Sequence, residues 1–325
     1  MRIMNKNGEI LYKLKSFYEE DYKFTFNSEK NEKSLFEYSN KETSKKLYKD
    51  MYNALKLGTY DYIKKNNLDG ILVGLSGGID SALTLVIACD VFGPNKVEAI
   101  LLPSKYTSDL SNELAIKLCK NLKVKYSIVP IEDIDNIINL SLENIFDGLS
   151  KDITEENIQA RIRGLILMAI SNKSGKVVLA TGNKSEMAVG YSTLYGDMSG
   201  SFAPLKDVYK TDVYNLANYR NSISKVIPEA IIEREPTAEL SPNQKDTDSL
   251  PKYEDLDSIL KEFIEKKKSS EEIQKLGYDK LLVDKTISMV VESEYKRRQS
   301  VPGVKIYGQS FGKDRRYPIV SQFKF

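Results

Sequence analysis

ILVGLSGGIDSALTLVIACDVF, residues 71–92, decides the fold. A short apolar run at 71–75 ends in Ser76-Gly77-Gly78, and a helix-like apolar stretch follows. Strand, glycine turn and helix in that order read as the first unit of an α/β protein. The pattern repeats outward. Apolar runs at 97–102 and 177–181 and a strand-like 124–130 alternate with helical patterns at 110–122 and 154–172. Strands this short, alternating with helices, predict a doubly wound parallel sheet covered on both faces. Right-handed crossovers then bring the loops after the strands to one edge, where α/β sheets bind ligands. On the N-terminal side a helix is predicted from Thr43, with Leu47, Met51, Ala54, Leu55 and Tyr62 as its apolar stripe and Gly58 on the same face. Residues 1–45 read as a hairpin and polar linker, too small for a core of their own. Residues 235–253, with three prolines, read as a lid loop, followed by helical patterns at 256–268 and 281–298 that form a C-terminal cap.

Composition narrows the chemistry. The 325 residues include 48 Lys and Arg, 46 Asp and Glu, two Cys and no His. The absence of histidine excludes Ser-His-Asp and Cys-His catalysis, His-ligated metals and imidazole proton shuttles. A net charge of +2 gives no reason to expect nucleic acid or an anionic membrane as partner. Cys89 and Cys119 sit in apolar, helix-like stretches and read as buried, reduced thiols. With no signal-peptide pattern and no apolar run near the ~20 residues of a membrane helix, the expected location is the cytoplasm.

The turn Gly74-Leu75-Ser76-Gly77-Gly78-Ile79-Asp80-Ser81 carries the chemistry. Two glycines let amide N–H groups converge on one anion, and the helix start behind them adds partial positive charge. No Lys-Ser/Thr follows, so this is not a Walker A loop, and the glycine spacing is not that of a dinucleotide fingerprint. Asp80 beside a phosphate cradle makes sense when a cation such as Mg²⁺ accompanies the phosphates. The alternative is a tight turn with Asp80 as an N-terminal helix cap. Similarly, Thr181-Gly182-Asn183-Lys184-Ser185-Glu186 reads either as a second site loop on the same sheet edge or as a helix start capped by Asn183 or Ser185. Asn157 and Arg161, four apart, share one helix face, with Ile158, Ile162, Leu165 and Ala169 as the adjoining stripe toward the core. A salt bridge from Glu155 or Glu156 to Arg161 is the bland reading of that face.

SGGIDS at 76–81 resembles the signature of the ATP-pyrophosphatase loop. LLPSKYTS (101–108), TEENIQARIRG (154–164), ATGNKSEMAVGYSTLYGDMSGSFAPLKDVYKTDVY (180–214), REPTAELSPNQKDTDSLPKY (234–253) and EYKRRQSVPGVKI (294–306) follow in order. Together they resemble the synthetase domain of glutamine-dependent NAD synthetases. The resemblance implies an adenine nucleotide alpha-hydrolase-like fold over 46–325 and a homodimer. It also implies ATP-dependent amidation of deamido-NAD by ammonia through an adenylated intermediate, with AMP and pyrophosphate released. By the same resemblance Gly74 to Ser81, Thr181, Lys210 and Thr237 bind ATP, and Asp80 and Glu186 hold Mg²⁺. Asp80, Glu186 and Lys210 carry catalysis, while Asn157, Arg161, Glu186 and Lys296 bind deamido-NAD. Leu194, Ser201 and Tyr295 depart from the ammonia-dependent branch, which has Lys, Asp and His there. Before Thr43 only GEILYKLKSFYEED resembles the family's amidase domain, as its last hairpin. Neither cysteine precedes Cys89, so a Cys-Glu-Lys amidase site cannot be assembled here and a separate glutaminase chain is an expected partner. Amidation of XMP, thiolation of tRNA and a silent nucleotide-binding scaffold are the rival readings.

Overall fold

The computed structural model describes residues 2–5, 7–17 and 44–320. Strands β1 (Arg2–Met4) and β2 (Ile10–Lys13) pair antiparallel, Arg2 opposite Lys13, with an irregularity between Ile3 and Met4. The linker expected after them lies mostly at 18–43, outside the described residues. Helix α1 (Ser44–Lys65) then leads into the α/β body: β3 (Ile71–Gly74), α2 (Ile79–Phe92), β4 (Val97–Leu101), α3 (Asp109–Leu122), β5 (Lys125–Ile128), α4 (Glu132–Leu142), α5 (Ile153–Ser174) and β6 (Val177–Leu179). Strand order is β5-β4-β3-β6, and all three pairings are parallel. The chain therefore steps outward from β3 to β4 and β5, then crosses back to the opposite side of β3. That reversal puts the switch point between β3 and β6, where the loops after both strands splay apart and leave a crevice.

Alternation along the strands explains the layers. Ile71, Val73, Val97, Ala99, Leu101, Val177 and Leu179 join one core with α1, α2 and α3, whereas Leu72, Ile100 and Val178 face α5 through Ile158 and Ile162. Both faces are covered, as the apolar runs require. Helix α2 is apolar all round and buried along nearly its whole length. The remaining helices are α6 (Lys184–Val189), α7 (Lys210–Ile223), α8 (Glu229–Glu233), α9 (Tyr253–Leu260), α10 (Ser270–Gln274), α11 (Lys280–Glu292) and α12 (Glu294–Arg297). Leu256, Ile259, Leu260, Ile273, Val283, Ile287 and Val290 build a separate core over Ala188 and Val189 of α6, which is the expected C-terminal cap. Cys89 and Cys119 are buried and free, and burial pushes both thiols up to about 12.

Two apolar stripes read from the sequence are corrected by the structure. On α1, Leu47 is exposed, and the buried face runs through Met51, Tyr52, Leu55, Thr59 and Ile63. Gly58 lies where a Cβ would approach Val304 to 2.7 Å, so the C-terminal tail crosses the helix there. On α5, Leu165 and Ala169 point outward, and the buried row continues from Ile158 and Ile162 to Ile166 and Ile170. That row follows the i, i+4 spacing of a helix lying along a sheet. Apolar residues surround α5 from 164 to 170, so periodicity alone could not choose the row.

Candidate functional site

The SGG loop leaves β3 with Gly77 at φ +84°, where an added Cβ would stand 2.4 Å from the Ser111 carbonyl oxygen of α3. Only glycine suits that position. We expect Gly77→Ala to lower stability by about 3 kcal/mol or misplace the loop, read as a drop in Tm with loss of nucleotide binding. The loop is knitted internally: Ser76 Oγ and Ser81 Oγ lie 3.1 Å apart, the Gly78 N–H donates to Ser76 Oγ, and Ser81 Oγ donates to the Gly78 carbonyl. No side chain caps the start of α2, so its first-turn N–H groups remain available to an anion.

The loop after β6 enters the same crevice. Asn183, fully buried, caps α6 by accepting the Glu186 N–H at 3.0 Å. Asp80 on α2 and Glu186 on α6 are then brought to one point, occupied by the Lys210 ammonium at the start of α7. Lys210 Nζ lies 2.6 Å from Asp80 Oδ2 and 3.0 Å from Glu186 Oε1. Burial raises the Glu186 carboxyl to about 7 despite the neighbouring lysine. Burial alone would depress Lys210, but Asp80 and Glu186 outweigh it and hold the ammonium well above the lysine range. Tyr253 packs its ring 5.0 Å from Lys210 Nζ and donates to Asp246 at 2.9 Å.

An open cavity of about 290 Å³ spreads from this cluster. Its walls include the SGG loop apart from Gly77, together with Thr181, Glu186, Lys210 and Thr237. The 235–253 segment closes one side and is tied down. Glu239 accepts from Ser108, Ser111 and Arg234, while Gln159 donates to the Leu240 carbonyl and Gln244 to Glu156. The Thr237 hydroxyl holds this turn by donating to the Gln244 carbonyl.

Asn157, Arg161 and Lys296 do not line the cavity. They gather instead on the 190–194 loop. Asn157 Oδ1 accepts from the Thr193 hydroxyl at 2.7 Å, Arg161 Nε donates to the Leu194 carbonyl at 3.3 Å, and Lys296 Nζ donates to the carbonyls of Gly190 and Ser192. Arg161 makes no bridge to Glu155 or Glu156: Glu155 accepts the Asp152 N–H and Glu156 takes Gln244. Sequence reasoning singled out neither Asp246 nor Arg163. Asp246 is buried between Tyr191 and Tyr253, and Arg163 lines the cavity with Nε on the Leu102 carbonyl. Asp246 lay inside the quoted 234–253 block, but nothing local marks one acid there among several. Arg163 sits two residues from Arg161 in a run read for the other arginine.

The family model for NAD synthase matches residues 51–300. The chain belongs to the NAD synthase family. It is 46% identical over 324 residues to the glutamine-dependent NAD(+) synthetase of Acinetobacter baylyi, covering 99% of this chain and 59% of that protein. Among solved structures, the ADP complex of the Acinetobacter baumannii glutamine-dependent NAD+ synthetase superposes with a TM-score of 0.67 at 44% identity, covering 97% of this chain and 57% of that one. The NH3-dependent NAD synthetase of Campylobacter jejuni, complexed with nitrate, gives 0.58 at 26% identity over 75% of this chain and 92% of that one. The chain thus spans about half the length of the curated relatives it matches. The NAD synthase fold agrees with the predicted α/β class, and the capped helix start read in TGNKSE is observed, with Asn183 as the cap and Glu186 on the cavity wall.

Proposed function

We propose that this chain amidates deamido-NAD to NAD with ATP and ammonia, releasing AMP and pyrophosphate. The observation that carries the reading is the convergence of Asp80, Glu186 and Lys210 beside the SGG loop at the switch point of the sheet. Membership of the NAD synthase family supports it, as do relatives named for glutamine- and NH3-dependent NAD synthesis. Phosphates of ATP would lie against the SGG amides and the start of α2. A nicotinate carboxylate oxygen attacks the α-phosphorus, the bond from that phosphorus to the β-phosphate oxygen breaks, and pyrophosphate leaves. Ammonia then adds to the acyl carbon, AMP departs with the bridging oxygen, and one proton is lost to leave the neutral amide. Lys210 stabilises charge as pyrophosphate separates. No side-chain nucleophile is required, which suits a chain without histidine.

Asp80 and Glu186 fit a hard cation. Asp80 Oδ2 and Glu186 Oε1 converge beside a phosphate cradle on Lys210 Nζ, so a cation bound with nucleotide would share these oxygens with the ammonium. Mg²⁺ in nucleotide sites typically takes one or two carboxylates plus phosphate oxygens and water. Among the described residues no group of three or more acids, cysteines or histidines forms a complete cage, so substrate oxygens must supply the rest. Bound there, Mg²⁺ would neutralise phosphate charge.

Asn157, Arg161 and Lys296 we assign to deamido-NAD, as a cationic and amide rim around the 190–194 loop. Lys296→Ala should weaken deamido-NAD binding by about 1.5–3 kcal/mol, roughly ten- to hundred-fold, with ATP affinity nearly unchanged. Calorimetric titration of both ligands checks this, and an equal loss for both would assign Lys296 to holding the loop alone.

A homodimer is supported by exposed apolar residues on one region of the surface. Ile137 and Leu140 of α4, Ile145 and Leu149 after it, and Ile153 and Leu165 of α5 are each at least 65% exposed. Residues 1–45 we read as the end of an amidase-like domain and 46–325 as the synthetase domain, with a glutaminase as nitrogen-supplying partner. Residues 1–70 hold no cysteine nucleophile. The 325-residue polypeptide should therefore make NAD from ammonium salts but not from glutamine. Because ammonia is mostly protonated near neutral pH, the rate at fixed ammonium should rise with pH. Incubation with ATP, Mg²⁺, deamido-NAD and either nitrogen source tests the proposal. No product from ammonium, with ATP still bound, would favour the scaffold reading, and glutamine-driven synthesis would overturn the nitrogen assignment.

A further inference from the structure

Asn183 is fully buried and does not line the cavity, yet both ends of its amide are committed to the site. Oδ1 accepts the Glu186 N–H at 3.0 Å, and Nδ2 donates to Asp80 Oδ1 at 2.9 Å. These partners fix the amide's orientation. A backbone N–H needs the oxygen and a carboxylate needs the nitrogen. Asp80's other oxygen, Oδ2, faces Lys210 Nζ, which also touches Glu186 Oε1. A closed ring therefore runs Asn183, Asp80, Lys210, Glu186 and back to Asn183.

We propose that Asn183 is a positioning residue that sets the Asp80 carboxylate for cation binding, by holding Oδ1 so that Oδ2, paired with Lys210 Nζ in the nucleotide-free site, stays turned toward Glu186. A carboxylate with both oxygens free can rotate about its last torsion, which is broad. The Asn183 N–H fixes Oδ1 independently of Lys210, which holds Oδ2, and the same side chain sets where α6 begins and so where Glu186 stands. One buried amide thereby couples two carboxylates from different loops. The inference rests on the metal reading above and extends it to a residue outside the substrate cavity. Hydrogen bonds of this outer kind typically matter ten- to hundred-fold in metal affinity.

Asn183→Ser and Asn183→Gly test it. Serine caps helices about as well as asparagine, and glycine is only slightly worse, but neither reaches Asp80 with a donor. The probe is α,β-methylene-ATP titrated calorimetrically with and without Mg²⁺, and the readout is the ratio of the two affinities. In the unmodified protein Mg²⁺ should tighten binding. In either variant that gain should shrink about ten-fold or more, while metal-free affinity stays within a factor of about two. In an Asp80→Asn background, Asn183→Ser should cause no further loss of the gain, because the two act through one carboxylate. An unchanged metal gain in either variant, additive losses in the double variant, or parallel losses with and without Mg²⁺ would overturn the inference and leave Asn183 a helix cap. If the unmodified protein shows no metal gain, the metal reading itself fails, a separately visible outcome.

Discussion

Asp80→Asn is expected to reduce NAD formation on the order of a thousandfold while leaving the fold intact. The substitution keeps size and shape but replaces an anionic oxygen with a neutral amide, a much poorer ligand for a hard cation. Asp80 faces the cavity from the first turn of α2, with one oxygen 2.6 Å from Lys210 and the other held by Asn183, so an amide there also loses its partners' charge-assisted bonds. Circular dichroism should remain that of the unmodified chain, with Tm lowered by the loss of the Asp80–Lys210 pair. Near-normal turnover at saturating Mg²⁺ would remove Asp80 from the chemistry.

Lys210→Met should show effects of similar size for a different reason. The ammonium is buried and balances two carboxylates at once. Methionine preserves apolar volume but leaves Asp80 and Glu186 facing each other across the gap. Turnover should fall about a hundred- to thousand-fold, since on the proposed reading the charge that follows departing pyrophosphate is gone. Ligand-free stability should also fall, by up to about 3 kcal/mol, because breaking a buried pair strands the remaining charge. The sign with pH follows. Burial already makes Glu186 ionise less readily folded than unfolded, and removing the ammonium takes away the charge that opposes this, so the deficit is full above the folded-state range and relieved as pH falls and a proton fills the gap. Mg²⁺ should raise the variant's Tm more than that of the unmodified chain. A variant with ordinary stability and rate would place Lys210 on a solvated surface, against its burial.

How far these groups were legible in the sequence differs from one to the next. The SGG loop stood out because Gly77 and Gly78 follow a short apolar run and precede a helix, and each feature has its own physical signature. The parallel sheet was equally readable, since its strands are short, buried on both faces and separated by helices. Asp80, Glu186 and Lys210, by contrast, are 106 and 24 residues apart in sequence and gather only because the strand order reverses, setting β6 beside β3. Family resemblance supplied that grouping, while residue spacing did not. Asn183 was readable as a cap from its short polar side chain, but its second role depends on Asp80 arriving from another loop. On α1 and α5 the predicted rows held at Met51, Leu55, Ile158 and Ile162 but took in Leu47, Leu165 and Ala169, which face away from the core. Lys296 shows the same limit from another side. Its place in EYKRRQ says nothing of the 190–192 carbonyls it grips.

On the proposed reading the carboxylate of deamido-NAD is activated as an acyl adenylate at the Asp80–Glu186–Lys210 cluster. The most direct measurement uses deamido-NAD carrying heavy oxygen in the nicotinate carboxylate, with ATP, Mg²⁺ and ammonium. Mass spectrometry of the nucleotide products follows the label. Adenylation moves one carboxylate oxygen onto the α-phosphorus, so labelled AMP should form in step with NAD, with unlabelled pyrophosphate. NAD formed alongside unlabelled AMP, or with ADP and labelled phosphate in place of AMP, would contradict it.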